Sequence, residues 1–453
     1  MKALKATALP WFLVLCFSRG LGQSSADAES YRFQGLSDGA VPYGVTFDHH
    51  GNMYGTTQLR GDGSCDYPED GCGTVFEATP VKNAGGAFTG TWSKRVIYVF
   101  QGGSNDGASP LAPLVLDKSG NIFGTTLYGG GTGCGGAGCG TVFELEQVNG
   151  RWVETVLYRF TGGADGGSPE SSVTIDRAGN IFGTTFNGGL KQCKGFPCGV
   201  AYELQRSASG WRETVLHSFD FKDGSQPIGG LILDSSGNLF GTTAYGGPPY
   251  PPDGAGTIFA LKPSPSGWEF EVLYSFPEFD GNPTATMTLD GNGNLYGTAD
   301  GGGAFGYGSV FELQRPTSQE AAWNFSNLYS FTLGQDGGFP YGGVAFDSAG
   351  NLYGTATGGG IIGPCQIGCG VVFKLTPSAG RWTESVLYSF QGGADGINPN
   401  STPVLDPFGN LYGTTAYGGD TNCIPFPDYS GCGTVFRINH AAVSDPVQGI
   451  DTQ

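Results

Sequence analysis

Seven times in 453 residues this chain writes nearly the same phrase: GN, then Leu, Ile or Met, then Tyr or Phe, then GTT or GTA. The copies begin at Gly51, Gly120, Gly179, Gly237, Gly293, Gly350 and Gly409. Six intervals span 358 residues, a period of about 60, which is the scale of stacked supersecondary units. Within a period the pattern divides into four short runs, cleanest between residues 227 and 276: PIGGLILD, NLFGTTA, GTIFALK and WEFEVLYSF. Each run is rich in β-branched and aromatic residues and is bounded by Gly or Pro, as strands are. The reading is all-β, a seven-bladed β-propeller with four antiparallel strands per blade. Glycine at 82 residues beside 13% aromatics agrees, because a disordered or collagen-like chain lacks the aromatics. A solenoid would need shorter coils and end caps.

A ring must close, and the termini show how. The repeat starts with YRFQG at Tyr31 to Gly35, which matches the fourth strand of later units such as VLYSFQGG at 386 to 393. It ends on GTVFRI at 433 to 438, a third strand. The N-terminal strand therefore completes the last blade, and closure removes the exposed edges. The fourth-strand phenylalanines then number seven: Phe33, Phe100, Phe160, Phe219, Phe276, Phe331 and Phe390.

The first 22 residues carry Lys2 and Lys5, an apolar run too short to span a bilayer, then Gly20 and Gly22, the order of a secretory signal peptide. The expected organisation is a signal peptide at 1–22, a linker at 23–29, the propeller at 30–440 and a flexible tail at 441–453. That tail is not hydrophobic enough to anchor. Losing Lys2, Lys5 and Arg19 moves the net charge from −18 to −21, which disfavours nucleic acid and anionic membrane as partners. Export by a cleaved signal peptide leads to a secreted or periplasmic, monomeric protein with no membrane insertion.

Two aspartate columns recur. Asp48, Asp117, Asp176, Asp234, Asp290, Asp347 and Asp406 stand three residues before the GN glycine, the spacing of a hairpin that Asp caps and Gly closes at positive φ. Asp38, Asp106, Asp165, Asp223, Asp280, Asp336 and Asp395 lie in DG steps followed within a few residues by Pro, joining each fourth strand to the next first strand. Near the channel mouth such carboxylates would suit a hard cation, so calcium is the one cofactor the sequence leaves open. Turn formation explains the same residues.

Ten cysteines outside the leader fall into close pairs: Cys65 with Cys72, Cys134 with Cys139, Cys193 with Cys198, Cys365 with Cys369, Cys423 with Cys432. All lie in the glycine-rich loop between second and third strands, where an even count in an exported chain reads as local disulfides. Topology puts these loops on the same face as the DG connections, the face where propellers graft sites. Its aromatics Tyr128, Tyr245, Tyr417, Tyr250 and Phe426, with Phe196 and Tyr429 nearby, are the expected ligand-stacking residues, since a flat ring suits a sugar. Trp92, Trp152, Trp211, Trp268, Trp323 and Trp382 precede fourth strands on the opposite face and read as packing. His49 and His50 read as a solvated turn. No catalytic residue is assigned: no nucleophile elbow, zinc signature or phosphate loop occurs.

With these residues in place the chain resembles the GloVer tandem-repeat family of exported bacterial proteins, whose members carry different sorting anchors. The motifs LVLDKSGNIFGTT, CGTVFEL and VLYSFQGGADG carry the resemblance over residues 31 to 438. Where members carry a C-terminal anchor this chain shows none, so release or a periplasmic life is expected. The DxxGN hairpins also look like those of NHL-type propellers. The resemblance implies no known activity. The functional expectation is a non-enzymatic extracellular binding or interaction module for carbohydrate or protein. The alternatives are a polysaccharide hydrolase or lyase, for which nothing selects a carboxylate pair, and a purely structural surface or matrix protein.

Overall fold

The computed structural model describes residues 29–439 apart from 62–64, 66–70, 87, 190–192, 194–197, 249–253, 278–280, 319–320, 364 and 424–429. The signal peptide, most of the linker, the tail, and Phe196, Tyr250, Asp280, Phe426 and Tyr429 lie outside the described residues. Seven antiparallel sheets follow one another along the chain, each with its four strands adjacent in order. Blade four is typical, with strands Ile232–Leu233, Leu239–Thr243, Thr257–Ser264 and Gly267–Ser275. Blade seven takes its outer strand from the start of the chain: Glu29–Arg32 pairs with Thr434–Ile438, Tyr31 opposite Val435 and Arg32 opposite Thr434. The Phe33 N–H donates to the Gly433 carbonyl at 3.0 Å and extends that seam. The strand opens at Glu29, one residue before the expected boundary.

The first hairpin is built alike in every blade. The aspartate Oδ1 accepts the N–H groups two and four residues on, at 2.8–2.9 Å in all seven copies. The GN glycine closes the turn at φ between 81° and 88°, a region a Cβ disfavours. This aspartate column is structural, as its spacing predicts.

Second strands are buried from end to end, because each blade is covered on both faces by its neighbours. Between blades, each fourth-strand phenylalanine meets the third-strand ring of the next blade edge-on. The pairs are Phe33 with Phe76, Phe100 with Phe143, Phe160 with Tyr202, Phe219 with Phe259, Phe276 with Phe311, Phe331 with Phe373 and Phe390 with Phe436, at centroid separations of 5.1–5.4 Å. All seven phenylalanines are at most 3% exposed. The glycine of GTT lies under that third-strand ring: a Cβ at Gly354 would come within 2.3 Å of Phe373. The phrase repeats because every blade seats the same ring.

The innermost strand departs from expectation. The run PIGGLILD was read as one strand, yet only Ile232–Leu233 pairs in the ladder. The residue before each proline is left-handed without being glycine: Val41, Ser109, Ser168, Gln226, Asn282, Phe339 and Asn398 have φ of 54–68°. Proline then removes a donor: in blade one Ala40–Phe47 stays paired across Pro42 with an irregular step between Tyr43 and Val45, and in the other blades the ladder breaks. The freed segments climb the channel wall, and threonines of neighbouring blades satisfy their backbone. Thr56 Oγ1 donates to the Ala112 carbonyl at 3.1 Å, Thr125 to Ser171 at 2.8 Å, Thr184 to Gly229 at 3.2 Å, Thr298 to Gly342 at 3.0 Å and Thr355 to Ser401 at 2.9 Å. At the closing seam the Gly44 N–H donates to Thr414 Oγ1 at 3.0 Å.

Phe33→Ala should lower the free energy of unfolding by about 3–5 kcal/mol, the usual cost of emptying a buried aromatic site. Phe408→Ala, at a side chain 78% exposed, should change it by less than about 0.5 kcal/mol. Urea denaturation of both variants checks this, and equal effects would contradict the seam described.

Candidate functional site

Seven residues, each just after the proline that ends the left-handed step, line the axial cavity: Tyr43, Leu111, Glu170, Ile228, Thr284, Tyr341 and Asn400. The cavity measures about 100 Å³. In a chain where other columns repeat, this one carries two aromatics, an acid, an amide, a hydroxyl and two aliphatics. Around the ring, Thr284, Tyr341, Asn400 and Tyr43 form a continuous polar arc over blades five, six, seven and one. Glu170 faces the channel from blade three between Leu111 and Ile228.

That setting decides its chemistry. Burial pushes the Glu170 carboxyl up to about 7. Burial also raises Tyr43, helped by Tyr341, Tyr417 and Glu170, while the Asn400 amide beside its hydroxyl opposes the shift. Tyr341 is pushed up to about 12 by burial, then by Glu170 and Asp300. The narrow channel thus crowds these groups although Tyr341 remains 38% exposed. Asp300, at the end of the second strand of blade five, is itself raised by burial. Thr284 is 8% exposed and its Oγ1 has no hydrogen-bond partner. Asn400 Oδ1 accepts from Thr414 at 3.2 Å, and no full hydrogen bond satisfies its Nδ2.

The cysteine loops hold this ring in place. All five expected disulfides are formed, Cys65 to Cys72, Cys134 to Cys139, Cys193 to Cys198, Cys365 to Cys369 and Cys423 to Cys432. The carbonyl of the second cysteine accepts the N–H of the left-handed residue: Val41 to Cys432 at 2.9 Å, Ser109 to Cys72 at 2.8 Å, Ser168 to Cys139 at 2.7 Å, Gln226 to Cys198 at 3.0 Å and Asn398 to Cys369 at 3.1 Å. Blades five and six make the same bond without cysteine, Asn282 to Ala255 at 2.7 Å and Phe339 to Tyr307 at 2.8 Å. Each staple is therefore two residues of chain from a mouth side chain.

The DG aspartates do local work. Asp106 accepts from Tyr98 Oη at 2.9 Å and from the Gln101 and Gly107 N–H groups at 2.7 and 2.6 Å. Asp38, Asp165, Asp336 and Asp395 accept from Tyr31, Tyr158, Tyr329 and Tyr388 at 2.9, 3.2, 3.0 and 2.9 Å, and each also caps a backbone N–H. Asp223 is 2.9 Å from His217 Nε2. Among the described residues no three His, Cys, Asp or Glu side chains converge as a metal-holding group. The described aspartates of this column close turns against the outer strand that precedes them.

One interface feature was not foreseen. The residue two places after each Trp faces the preceding blade's Asp–Tyr pair, and it varies. At the seam it is Lys94, whose buried ammonium pairs with Asp38 and lies over the rings of Tyr31, Phe33 and Phe76. Phe270 stacks on His217 at 3.7 Å and Phe325 on Tyr274 at 4.2 Å. The other three are acids: Glu154 beside Asp106 and the Tyr98 hydroxyl, Glu213 beside Asp165 and Glu384 beside Asp336, the last two with Oε1 buried and without a partner. Burial, then the neighbouring aspartate, pushes Glu154 and Glu213 up to about 7 and Glu384 to about 8.

Of the described aromatics expected to stack on a ligand, Tyr417 packs against the core of the closing seam, close enough to Tyr43 to raise it. Tyr128 packs into the core of its blade pair, and Tyr245 is 40% exposed away from the ring. The tryptophans pack, as read: Trp92 against Phe47, Phe88 and Tyr412, Trp268 against Phe182, Trp323 against Phe240. His49 and His50 stack at 3.8 Å in an exposed turn on the opposite face.

Fold and site define a closed seven-bladed propeller with a lined axial mouth on its disulfide-stapled face. The chain belongs to the Gloeobacter/Verrucomicrobia repeat family, whose pattern matches residues 22–196, 126–286 and 195–424. No curated protein matches the sequence. The extracellular domain of a proposed hybrid two-component system of B. thetaiotaomicron is 9% identical, with a TM-score of 0.50 over 91% of this chain and 40% of that one. A proposed 6-phosphogluconolactonase of Bacteroides uniformis is 12% identical, TM-score 0.48, over 82% of this chain and 89% of that one. A puromycin-hydrolysing peptidase of Mycobacterium tuberculosis is 11% identical, TM-score 0.46, over 91% and 55%. At these identities the likeness is one of fold.

The raised acids make stability pH-dependent. Between about pH 4.5 and 8 the native chain holds protons on Glu154, Glu213 and Glu384 that the unfolded chain has released, so stability falls as pH rises through that window. The urea midpoint should drop from about pH 5 to about pH 8, and the Glu154→Gln, Glu213→Gln, Glu384→Gln triple variant should flatten the drop. A midpoint that rises with pH would contradict the assignment.

Proposed function

We propose that this protein is a non-enzymatic extracellular binding module whose ligand, a glycan or another protein, docks on the stapled face and inserts a group into the axial mouth. The observation that carries this reading is the symmetry break: the columns that build the ring repeat, while the column lining the mouth holds Tyr43, Glu170, Thr284, Tyr341 and Asn400. Five local disulfides are the chemistry of an oxidising compartment, which supports export as the sequence expects. No helix among the described residues is long and apolar enough to cross a membrane.

A glycan array and an arrayed set of extracellular proteins, each probed with the wild-type protein and with Tyr341→Ala, test this. The half-exposed ring can be removed without emptying the core, so the variant should keep its unfolding midpoint while losing about tenfold or more in affinity for any ligand retained. A ligand held equally by both forms would move the site off the mouth. Release of reducing ends from any polymer would overturn the non-enzymatic reading.

A further inference from the structure

We propose that the group received by the axial mouth is an organic ammonium, the free amine of an amino sugar or of a lysine side chain; this rests on the mouth being the binding site. Size comes first. A cavity of about 100 Å³ is smaller than the roughly 150 Å³ that accommodates a benzene ring, so a head group enters in preference to a whole sugar ring.

Charge and donor type then choose the head group. Glu170 lines the cavity, and Asp300 stands behind Tyr341. None of the lining residues is Lys, Arg or His. Burial is the cause of the raised affinity of both carboxyls for their protons, and no cation offsets it. Once Glu170 is ionised, above about pH 7, an anionic head group meets like charge and a neutral one leaves the carboxylate uncompensated in a crowded channel. An ammonium supplies both the counter-charge and three donors. Acceptors line the cavity: the Glu170 carboxylate and the phenol oxygens of Tyr43 and Tyr341. The two tyrosine rings add faces suited to a cation.

The groups facing Glu170 are Tyr43 across the channel from blade one and Tyr341 from blade six, with aliphatic Leu111 and Ile228 on the adjoining blades. Neither phenol ionises near neutrality, and Asp300, also raised by burial, does not line the cavity, so the lining group that titrates between about pH 6 and 8 is Glu170. A bound ammonium favours the ionised carboxylate, and binding therefore releases a proton and tightens as pH rises.

Calorimetry with four soluble probes tests the proposal in about 0.15 M salt, where long-range attraction to the acidic surface is screened. The probes are a glucosamine oligomer, its N-acetylated counterpart, a single-lysine peptide and its acetyl-lysine counterpart. At least one amine probe should bind, with its acetylated form weaker by about tenfold or more; which of the two binds names the source of the amine. The pH series uses the lysine peptide, or a sugar carrying an aminoalkyl cap if only the sugar binds, because those primary amines stay charged to about pH 8. Affinity should rise about tenfold from about pH 6 to 8 as Glu170 ionises. Glu170→Gln should weaken binding and remove that rise, while altering a net charge of −18 by one unit. Acetylated probes that bind as well as amines, with binding lost in Tyr341→Ala, would overturn the ammonium and leave the binding module intact. Amine binding unchanged in Glu170→Gln, or no binding of either amine, would overturn the proposal.

Discussion

An aromatic ring seated over a glycine is the contact on which the rest of this ring depends. Where GTT leaves the second strand without a side chain, the third-strand Phe or Tyr lies down into the space, and the fourth-strand Phe of the previous blade closes on it edge-first. A methyl at Gly413 would meet the Phe436 ring at 2.4 Å, closer than any real packing contact, so the interface could not form with the same spacing. Edge-to-face pairs add about 0.5–1.5 kcal/mol each beyond burial. Seven of them around a closed ring fix both the tilt and the distance between blades, and hence the width of the axis.

That width is what allows the innermost segments to leave the ladder. A left-handed residue before proline is disfavoured by sterics, and it persists at Val41 and Phe339 because its N–H is held by a neighbouring loop carbonyl at 2.9 and 2.8 Å. In five blades that loop carries a disulfide at its base. The freed carbonyls are then answered by the threonines of the adjoining blade rather than by their own sheet. Loop, strained step and mouth residue form one short mechanical chain, so the least regular backbone in the protein is also the backbone most firmly held.

Most of this was legible from residues that recur. The Asp48 and Gly51 hairpin, the pairing of Tyr31 beside Val435, the cysteine pairs and the packing role of Trp268 all follow from local rules that each blade must satisfy. Two things were not legible. The strand PIGGLILD reads as continuous by composition, and only the conformation of Gln226 before Pro227 shows why it breaks. The mouth is not legible from repetition, which marks scaffold: Tyr128 belongs to a repeated YGG phrase and packs into the core of its blade pair, whereas Glu170 and Asn400 stand in a column with nothing to repeat. Comparing the residue after each proline across the seven units is the signal that would have found them. The variation at Lys94, Glu154 and Phe270 is of the same kind, visible in the sequence but without meaning until the aspartate and tyrosine of the preceding blade are seen to face it.

The seam between Glu29–Arg32 and Thr434–Ile438 has a consequence in time. The strand synthesised first has no partner until the last third strand has been made, some four hundred residues later. At roughly 5–20 residues per second, that is a wait of about 20–80 s. Through it, the buried face of Phe33 and the charge of Lys94 have no completed seam to enter. A chain that cannot lock until its far end arrives remains linear for as long as it is being made.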